Sequence, residues 1–374
     1  MGNWEIKYLP EICEIKTGKH DANHAVNDGK YRFYTCSSEF SRCDTTNFSG
    51  ESVIVPGNGD IGLVFYYNGE FDAYQRTYVL QNIKIDAKFL YYHMLLHWRT
   101  RNVNNQFGST IRYVRMSNFT NYTISYPLID EQKRIVAKIE ELFSKLDKGI
   151  EELNKIKEQL KIYRQAVLKE VFKNISSKKI IKELSDLVTS GSRGWAKYYA
   201  DKGARFVRIT DMTRDGIELK SNTMQFLDLP ESVEGRRSRL QCNDVLVSIT
   251  ADLGSIALVP SNIGEAYINQ HIAVIRFTNS RQGEFMAWYL KSEYGQKELL
   301  KNKRGAGKLG LGLDDIRNTH VPNVDDSIAN SIVGEIEQRL SVCDKIEQTV
   351  NETLQKAESL RQSILKQAFE GKLV

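Results

Sequence analysis

The sequence predicts an α+β protein in which two similar mixed α/β modules are each followed by a copy of one long helix. Apolar residues recur in steps of three and four along residues 135–172, a spacing typical of a coiled-coil helix. A shift of 197 residues aligns this stretch with residues 332–369, and 13 of the 38 aligned residues are identical without a gap. The chain is therefore predicted to be a tandem repeat of one module and one long helix.

The modules are predicted to be sheets with few helices. In residues 1–128, short runs rich in β-branched and aromatic residues alternate with turn-forming residues, and a buried helix is predicted over 87–98. The runs lie at residues 31–37, 52–56, 62–67 and 76–80. Residues 175–323 repeat this plan, with a second helix predicted over 284–300 and a polar glycine loop at 302–312. Each half thus begins with one variable module.

The long helices occupy segments 129–174 and 324–374. A helix of 38 residues is roughly 57 Å long, too long for an ordinary core helix. Because a module separates the two copies, the chain can return and pair them antiparallel along an apolar seam. The predicted seam consists of Ile139, Leu142, Leu146, Leu153, Ile156, Leu160, Ile336, Ile346, Val350, Leu360 and Ile364. Two unrelated amphipathic helices of an all-helical protein are the alternative.

Composition indicates a soluble protein with reduced thiols. Hydrophobic residues make up 41% of the 374 residues and charged residues 26%, without an apolar run of membrane-spanning length or a signal-peptide pattern. The five cysteines are odd in number and irregularly spaced, so we expect a cytoplasmic protein without disulfides. Segment 175–323 holds 22 basic and 17 acidic residues, which favours a polyanionic partner there.

Catalytic and metal motifs are incomplete. The Gly-x-Gly-x-x-Gly pattern at 57–62 leads into a strand rather than a helix, and Lys308 is not followed by the Ser or Thr of a phosphate loop. The six prolines are never adjacent, which argues against the Asn/Asp-Pro-Pro-aromatic motif of amino-methyltransferases. His20, His24, Cys36 and Cys43 have no compact zinc-ligand spacing. We therefore predict no catalytic residues, no metal and no cofactor on this chain.

Basic and aromatic residues on loops remain as candidates for binding DNA. Arg and Lys neutralise phosphates, and Arg also reads guanine edges through two hydrogen bonds. The candidates in the first module are Lys19, His20, Arg32, Arg42, Arg76, Arg112 and Arg115. Those in the second module are Arg193, Trp195, Lys197, Arg208, Arg214, Arg236, Arg237, Arg239, His271, Lys303, Arg304 and Lys308.

The run Ile-Asp-Glu-Gln-Lys-Arg-Ile-Val at 129–136, followed by Ile139, Glu140 and Asp147, resembles the central helix of specificity subunits of type I restriction-modification enzymes. Residues 17–37 and 190–212 resemble the starts of their target recognition domains. The start of the second helix, at 324–327, departs from this pattern because it lacks the Glu-Gln-Lys-Arg run.

The resemblance implies two target recognition domains, 1–128 and 175–323, spaced by two antiparallel helices and each reading one half of a bipartite site in double-stranded DNA. It also implies two docked methyltransferase subunits, which bind S-adenosylmethionine, and restriction subunits that can join them. Helices of roughly 57 Å correspond to about 17 base pairs at 3.4 Å each. A coiled-coil scaffold, a DNA-binding protein without modification partners and a free-standing DNA enzyme are the rival functions.

Overall fold

The computed structural model describes residues 4–175, 178–229, 238–301, 303 and 310–373, and the chain divides into two compact units. Unit 1 comprises Met1–Leu153 and Glu352–Val374, and unit 2 comprises Asn154–Asn351. The first long helix, Ile129–Phe172, and the second, Asp326–Phe369, have 44 residues each. The predicted α+β class with two long helices is therefore confirmed, and each helix begins six residues before the repeat in the sequence suggests.

Unit 1 contains a four-stranded antiparallel sheet whose strand order is Glu14–Thr17, Thr77–Gln81, Glu51–Pro56, Phe65–Asn68. A second sheet has the order Ser41–Cys43, Tyr31–Tyr34, Phe71–Ala73, and its last pair is parallel. Strand Glu5–Tyr8 pairs antiparallel with Thr123–Tyr126. The helices of the module are Leu9–Ile12, Ala87–Asn102 and Met116–Thr120.

The core of unit 1 joins the module to both long helices. The helix Ala87–Asn102 begins where the Asp86 side chain accepts a hydrogen bond from Phe89 N, and it buries Phe89 and Trp98 completely. These rings share one cluster with Ile139 of the first long helix and Leu365 of the second. Removing a buried aromatic side chain of this kind costs about 3–5 kcal/mol. The helix stripes therefore belong to the folding core of the module.

Unit 2 repeats this architecture. Its four-stranded antiparallel sheet has the order Ser185–Ser190, Ile272–Phe277, Val245–Ser248, Ile256–Leu258. A second sheet has the order Tyr199–Ala200, Gln225–Leu227, Ala204–Val207, Ala266–Ile268, and its last pair is parallel, as in unit 1. Strand Lys178–Ile180 pairs with His320–Pro322. The short helices are Ile181–Leu184, Gly283–Lys291, Glu293–Leu299 and Leu313–Arg317. The predicted helix 284–300 is thus two helices, separated at Ser292, whose hydroxyl accepts from Gly295 N.

The long helices pack antiparallel within unit 2. Arg164 donates to Asp344 Oδ1 at 2.7 Å and to Glu347 Oε2 at 3.0 Å, while Arg339 donates to Glu170 at 2.8 Å. Partner numbers fall as residue numbers rise along the first helix, which defines the antiparallel direction. In unit 1, Arg361 donates to Asp147. Arg361 and Asp147 are the repeat equivalents of Arg164 and Asp344 with the helices exchanged, so both units use the same reciprocal pair.

The seam differs in part from its prediction. Ile139, Leu160, Ile336, Val350 and Ile364 are buried, and Leu142, Leu146 and Leu153 are half-buried. Ile156, Ile346 and Leu360 are exposed by 36%, 41% and 49%, so their assignment to the seam was wrong. At these places the predicted seam is shifted by one residue from the observed one, because the residues on the packed face are polar and an apolar neighbour was selected instead. Arg164 and Cys343 are buried on the helix faces in contact, and Lys157 bonds Asn351 at 3.0 Å.

The start of each long helix is anchored by a glutamine from a different place in the sequence. In unit 1, Gln132 is 2% exposed; its amide nitrogen donates to Pro127 O at 2.7 Å and its oxygen accepts from Asp86 N at 2.9 Å. In unit 2 the equivalent acceptor, Val324 O, is reached at 3.0 Å by Gln282. The sequence departure at 324–327 is therefore compensated from outside the helix.

Among the residues that the structure describes, no helix is long and apolar enough to cross a membrane.

Candidate nucleic-acid interface

Four separate segments of unit 1 meet at one place, which we call junction 1 and define as residues 18–20, 57–59, 74–77 and 112–114. Gly18 N donates to Thr77 O at 3.1 Å, and Gln75 N donates to His20 O at 2.9 Å. The glycine turn at 57–59 is bonded to the other segments, since Gly57 N donates to Arg76 O and Gly59 N donates to Arg112 O. Lys19, Arg76 and Arg112 are exposed there, so junction 1 brings three separated cations together.

Unit 2 builds the same arrangement, junction 2, from residues 191–193, 249–251, 269–271 and 310–311. Ile249 N donates to His271 O at 2.9 Å, as Gly57 does to Arg76 O, and Leu311 N donates to Ile249 O at 3.0 Å, as Val114 does to Gly57 O. A bridge joins Ser192 to Asn269 where His20 joins Tyr74. The two junctions share backbone contacts but carry different side chains.

Both junctions place a left-handed residue at the same position of the turn. Gly59 has φ of 75°, and its equivalent, Ala251, has φ of 59°. Glycine adopts this conformation freely, whereas a residue with a Cβ pays about 1–2 kcal/mol for it. Local strain of this kind is a recurrent property of functional loops.

We expect Ala251→Gly to stabilise unit 2 by about 0.5–1 kcal/mol, because relief of the left-handed strain exceeds the extra chain entropy of glycine. The reverse change in unit 1, Gly59→Ala, should destabilise by a similar amount, since an added Cβ would lie an ordinary 3.5 Å from Cys36 O. Urea unfolding measures both. Ala25→Gly, at an exposed residue with φ of −65°, is the control and should destabilise. A destabilising Ala251→Gly would contradict the strain argument.

Arg32 is ordered by aromatic rings. Its guanidinium carbon lies 4.4 Å from the ring centres of Phe40 and Tyr67, and its side chain donates to Tyr34 Oη at 3.3 Å. Arg42 is the direct strand partner of Arg32 and lies 5.7 Å from the Phe40 ring. Cation–π contacts hold such side chains without neutralising them, which suits binding of phosphates or bases.

Four predicted residues have partners within the fold. Trp195 is 4% exposed in a cluster with Phe206 and Tyr267, so the prediction that its ring contacts DNA was wrong. Arg208 pairs with buried Asp211 and donates to Thr223 O at 2.7 Å. His20 lies against Asp72. His271 lies 2.7 Å from Thr250 Oγ1 and 2.8 Å from Gln270 Nε2, contacts that fix junction 2.

The remaining candidates are exposed or lie outside the described residues. Arg115 lies over the Phe107 ring at 4.1 Å. Exposed side chains without a common cluster are Arg193, Lys197, Arg239 and Lys303. Outside the described residues lie Arg236, Arg237, Arg304 and Lys308.

An acidic groove in unit 2 has the wrong charge for DNA. It is lined by Asp215, Glu218, Glu284, Glu337, Asp344 and Glu347. Burial raises the pKa of Glu284, and the nearby Glu337 raises it further. Arg214 also lines this groove and pairs with Asp252 at 3.2 Å. Junction 2 and the exposed cations are therefore better candidates for a polyanion than this groove is.

The sequence did not select two polar residues of junction 1. Asn58 bridges to Tyr113, and the Asn58 Oδ1 atom is buried without a partner among the described residues. Asn58 lies in the glycine turn at 57–62, which was interpreted as leading into a strand, and no pattern in the sequence pointed to Tyr113. Aligning Gly-Asn-Gly at 57–59 with its equivalent in the second module, Ile-Thr-Ala at 249–251, is the signal that could have identified this turn.

Comparison with known proteins gives consistent results along the chain. A family model described as "Type I restriction modification DNA specificity domain" matches residues 1–161. The type I restriction enzyme EcoDI specificity subunit of Escherichia coli is 28% identical over 99% of this chain and 89% of its own length. The EcoBI specificity subunit of Escherichia coli is 25% identical over 86% and 74%, respectively.

Two solved structures share the fold. One, from a study of complex assembly and conformational transition of the type I R-M system, has a TM-score of 0.75 and 18% identity, covering 100% of this chain and 99% of its own. The other, the HsdS subunit from Thermoanaerobacter tengcongensis, has a TM-score of 0.54 and 18% identity, covering 100% and 98%.

Proposed function

Because this chain belongs to the family of type I restriction-modification specificity subunits, we propose that it is the non-catalytic subunit that reads an asymmetric, bipartite site in double-stranded DNA. Each unit reads one half of the site. Methyltransferase subunits, which carry S-adenosylmethionine, and restriction subunits dock on this chain, which itself needs no cofactor.

One observation carries this proposal: the same four-segment junction is built twice with different side chains. Junction 1 presents Lys19, Arg76 and Arg112. Junction 2 has Arg193 and the anchored His271 on its corresponding segments. A common backbone supports one kind of ligand, whereas different side chains read different bases. Two halves of unlike sequence follow from this.

The long helices supply the proposed docking surface for partner subunits. Ile162 and Val342 are 71% and 54% exposed on the helices in unit 2, and Leu360 is 49% exposed in unit 1. Burial of these apolar side chains against a partner would remove them from water. They support the partner proposal independently of the junctions.

Methylation sequencing of a host that expresses the chain together with its methyltransferase subunits tests the proposal. We expect methylated sites with two short specified parts separated by an unspecified spacer. A single continuous motif would contradict reading by two units. A coiled-coil scaffold predicts no sequence motif and no salt-dependent DNA affinity.

The double variant Arg76→Gln, Arg112→Gln should weaken DNA binding by removing two phosphate contacts at junction 1. The slope of log affinity against log salt should fall in magnitude by about 2, because each phosphate contact contributes about 0.9. Fluorescence anisotropy of the assembled methyltransferase complex at several salt concentrations measures this slope. Lys145→Gln, an exposed helix lysine paired with Glu141, is the matched control and should leave the slope unchanged. An unchanged slope in the double variant would exclude both arginines from the interface.

A further inference from the structure

Two histidines and an aspartate converge in unit 1. His20 follows the strand Glu14–Thr17, His24 ends the short turn Ala22–His24, and Asp72 lies in the middle of the strand Phe71–Ala73. One donor atom from each lies within 4.8 Å of the others. The imidazole rings are stacked with centroids 3.8 Å apart, and His20 Nε2 lies 3.4 Å from Asp72 Oδ2.

The carboxylate of this group is buried and held in place. The Asp72 side chain is completely inaccessible to solvent, and its Oδ2 accepts from Thr45 Oγ1 and Asn47 Nδ2, each at 2.7 Å. Ala73 N donates to Oδ1 at 2.8 Å. Thr45 also lies 2.7 Å from His24 Nε2, and Asn47 lies 3.1 Å from His20 Nε2. Oriented carboxylates with hydrogen-bonding neighbours are typical of metal ligands.

Unit 2 shows that the fold does not require polar groups at this place. Phe33 pairs with Asp72 between parallel strands, as Phe206 pairs with Tyr267 in unit 2. His24 lies 5.6 Å from the Phe33 ring, as Trp195 lies 5.4 Å from Phe206. The site in unit 2 is an aromatic cluster. A buried carboxylate costs folding energy unless a cation or hydrogen bonds compensate, and in unit 1 two of the donors to Asp72 are Thr45 and Asn47, which also contact the two histidines.

Among the described residues, no lysine or arginine forms an ion pair with Asp72, and the basic group beside its carboxylate is His20 Nε2, 3.4 Å away. Two imidazoles and one carboxylate form a ligand set that binds zinc in catalytic sites and is also used by other divalent transition metals. The thiols of Cys36 and Cys43 lie outside the group that can share one ion. The geometry therefore offers three ligands from the protein.

We propose that His20, His24 and Asp72 form a binding site for a divalent transition-metal ion of the zinc class, completed by water. On binding, the imidazole nitrogens exchange their contacts with Thr45 and Asn47 for bonds to the ion. The ion fastens residues 20–24 to the strand Phe71–Ala73, directly beside junction 1. Among the described residues the group occurs in unit 1 alone, and in unit 2 Ser192 and Tyr267 stand where His20 and Asp72 do.

Zinc titration of the purified full-length chain, without DNA, tests the site. We expect one Zn²⁺ per chain in competition with a chromophoric chelator, and Co²⁺ in its place should give the visible absorption of a four-coordinate ion. His20→Gln and His24→Gln should each weaken Zn²⁺ binding at least 100-fold. His320→Gln removes an exposed imidazole outside the group and should bind as the unaltered chain does.

Thermal unfolding separates loss of the site from loss of folding. Zn²⁺ should raise the unfolding temperature of the unaltered chain and of His320→Gln but not that of His24→Gln, which should still unfold cooperatively without metal. Absence of stoichiometric Zn²⁺ binding would overturn the proposal, and so would unchanged affinity in both His20→Gln and His24→Gln. Neither result depends on DNA recognition, so the proposed function is tested separately.

Discussion

On the proposed bipartite DNA site, lengthening the spacer between the half-sites by three base pairs is expected to lower affinity at least 100-fold, whereas changing the sequence of the spacer should leave affinity unchanged. Both long helices contribute core residues to both units, and each is continuous for 44 residues, about 66 Å. Three added base pairs displace one half-site by about 10 Å and rotate it by about 100° around the DNA axis. The second unit then loses its contacts unless DNA or helices deform.

The measurement is a titration of the assembled methyltransferase complex with duplexes that differ only in spacer length or only in spacer sequence. A hundredfold loss corresponds to about 2.8 kcal/mol, well above the variation expected from unread bases. A spacer of scrambled sequence and native length is the control. Equal affinity at every spacer length would show that the helices do not act as a ruler, while leaving recognition by each separate unit intact.

The long helices could be predicted because their signals are local and repeated. Apolar residues at steps of three and four, present twice at a fixed offset, predict a long helix whatever the details of its packing. Polar residues limited the prediction of the seam. Arg164 and Lys157 lie on the packed helix face, whereas an apolar pattern selects Ile156, which is exposed. Pairing across 180 residues neutralises Arg164, and such a partner is not visible in a single helix sequence.

The division of the predicted helix 284–300 also has a specific physical reason. Ser292 ends the first segment and begins the second, and Gly295 approaches Tyr289 O so closely that a Cβ would lie 2.1 Å from it. Leucine and aromatic residues on both sides conceal this break in a hydrophobicity pattern. Four strands of unit 1, by contrast, were predicted within three residues, because their β-branched runs end at turn-forming residues, whereas short strands such as Phe71–Ala73 were not predicted.

Candidate binding residues were harder to predict than folds. Arginines on loops have the same sequence appearance whether they are exposed, as Arg76 is, or bonded internally, as Arg208 is. Trp195 follows a basic, glycine-containing turn that is typical of a nucleic-acid contact, yet its ring packs on Phe206. Backbone contacts between four distant segments define the junctions, and no local pattern encodes those contacts.

Arg164→Asp is expected to have the largest effect on folding, a loss of about 3–5 kcal/mol from the free energy of unfolding of unit 2. The Arg164 side chain is only 10% exposed. Burial disfavours its charge, but hydrogen bonds and charge from Asp344 and Glu347 raise the pKa of Arg164 overall. Aspartate there would be a buried carboxylate beside those of Asp344 and Glu347, which are 66% and 41% exposed. Arg164→Met should cost less, since it removes the buried charge while keeping much of the apolar stem.

Reversal of the pair tests the antiparallel register directly. Adding Asp344→Arg to Arg164→Asp should recover at least half of the lost stability, because the guanidinium from position 344 faces the new carboxylate. The same change in unit 1, Arg361→Asp, should cost less than Arg164→Asp, since the Arg361 side chain is 26% exposed. Lys145→Asp, at an exposed helix position, is the control, with a loss of at most about 1 kcal/mol. Hydrogen exchange of each unit measures the losses separately. If the reversed pair recovered nothing, the two helices would not meet in this register, and the reciprocal use of Arg and Asp by both units would have no structural basis.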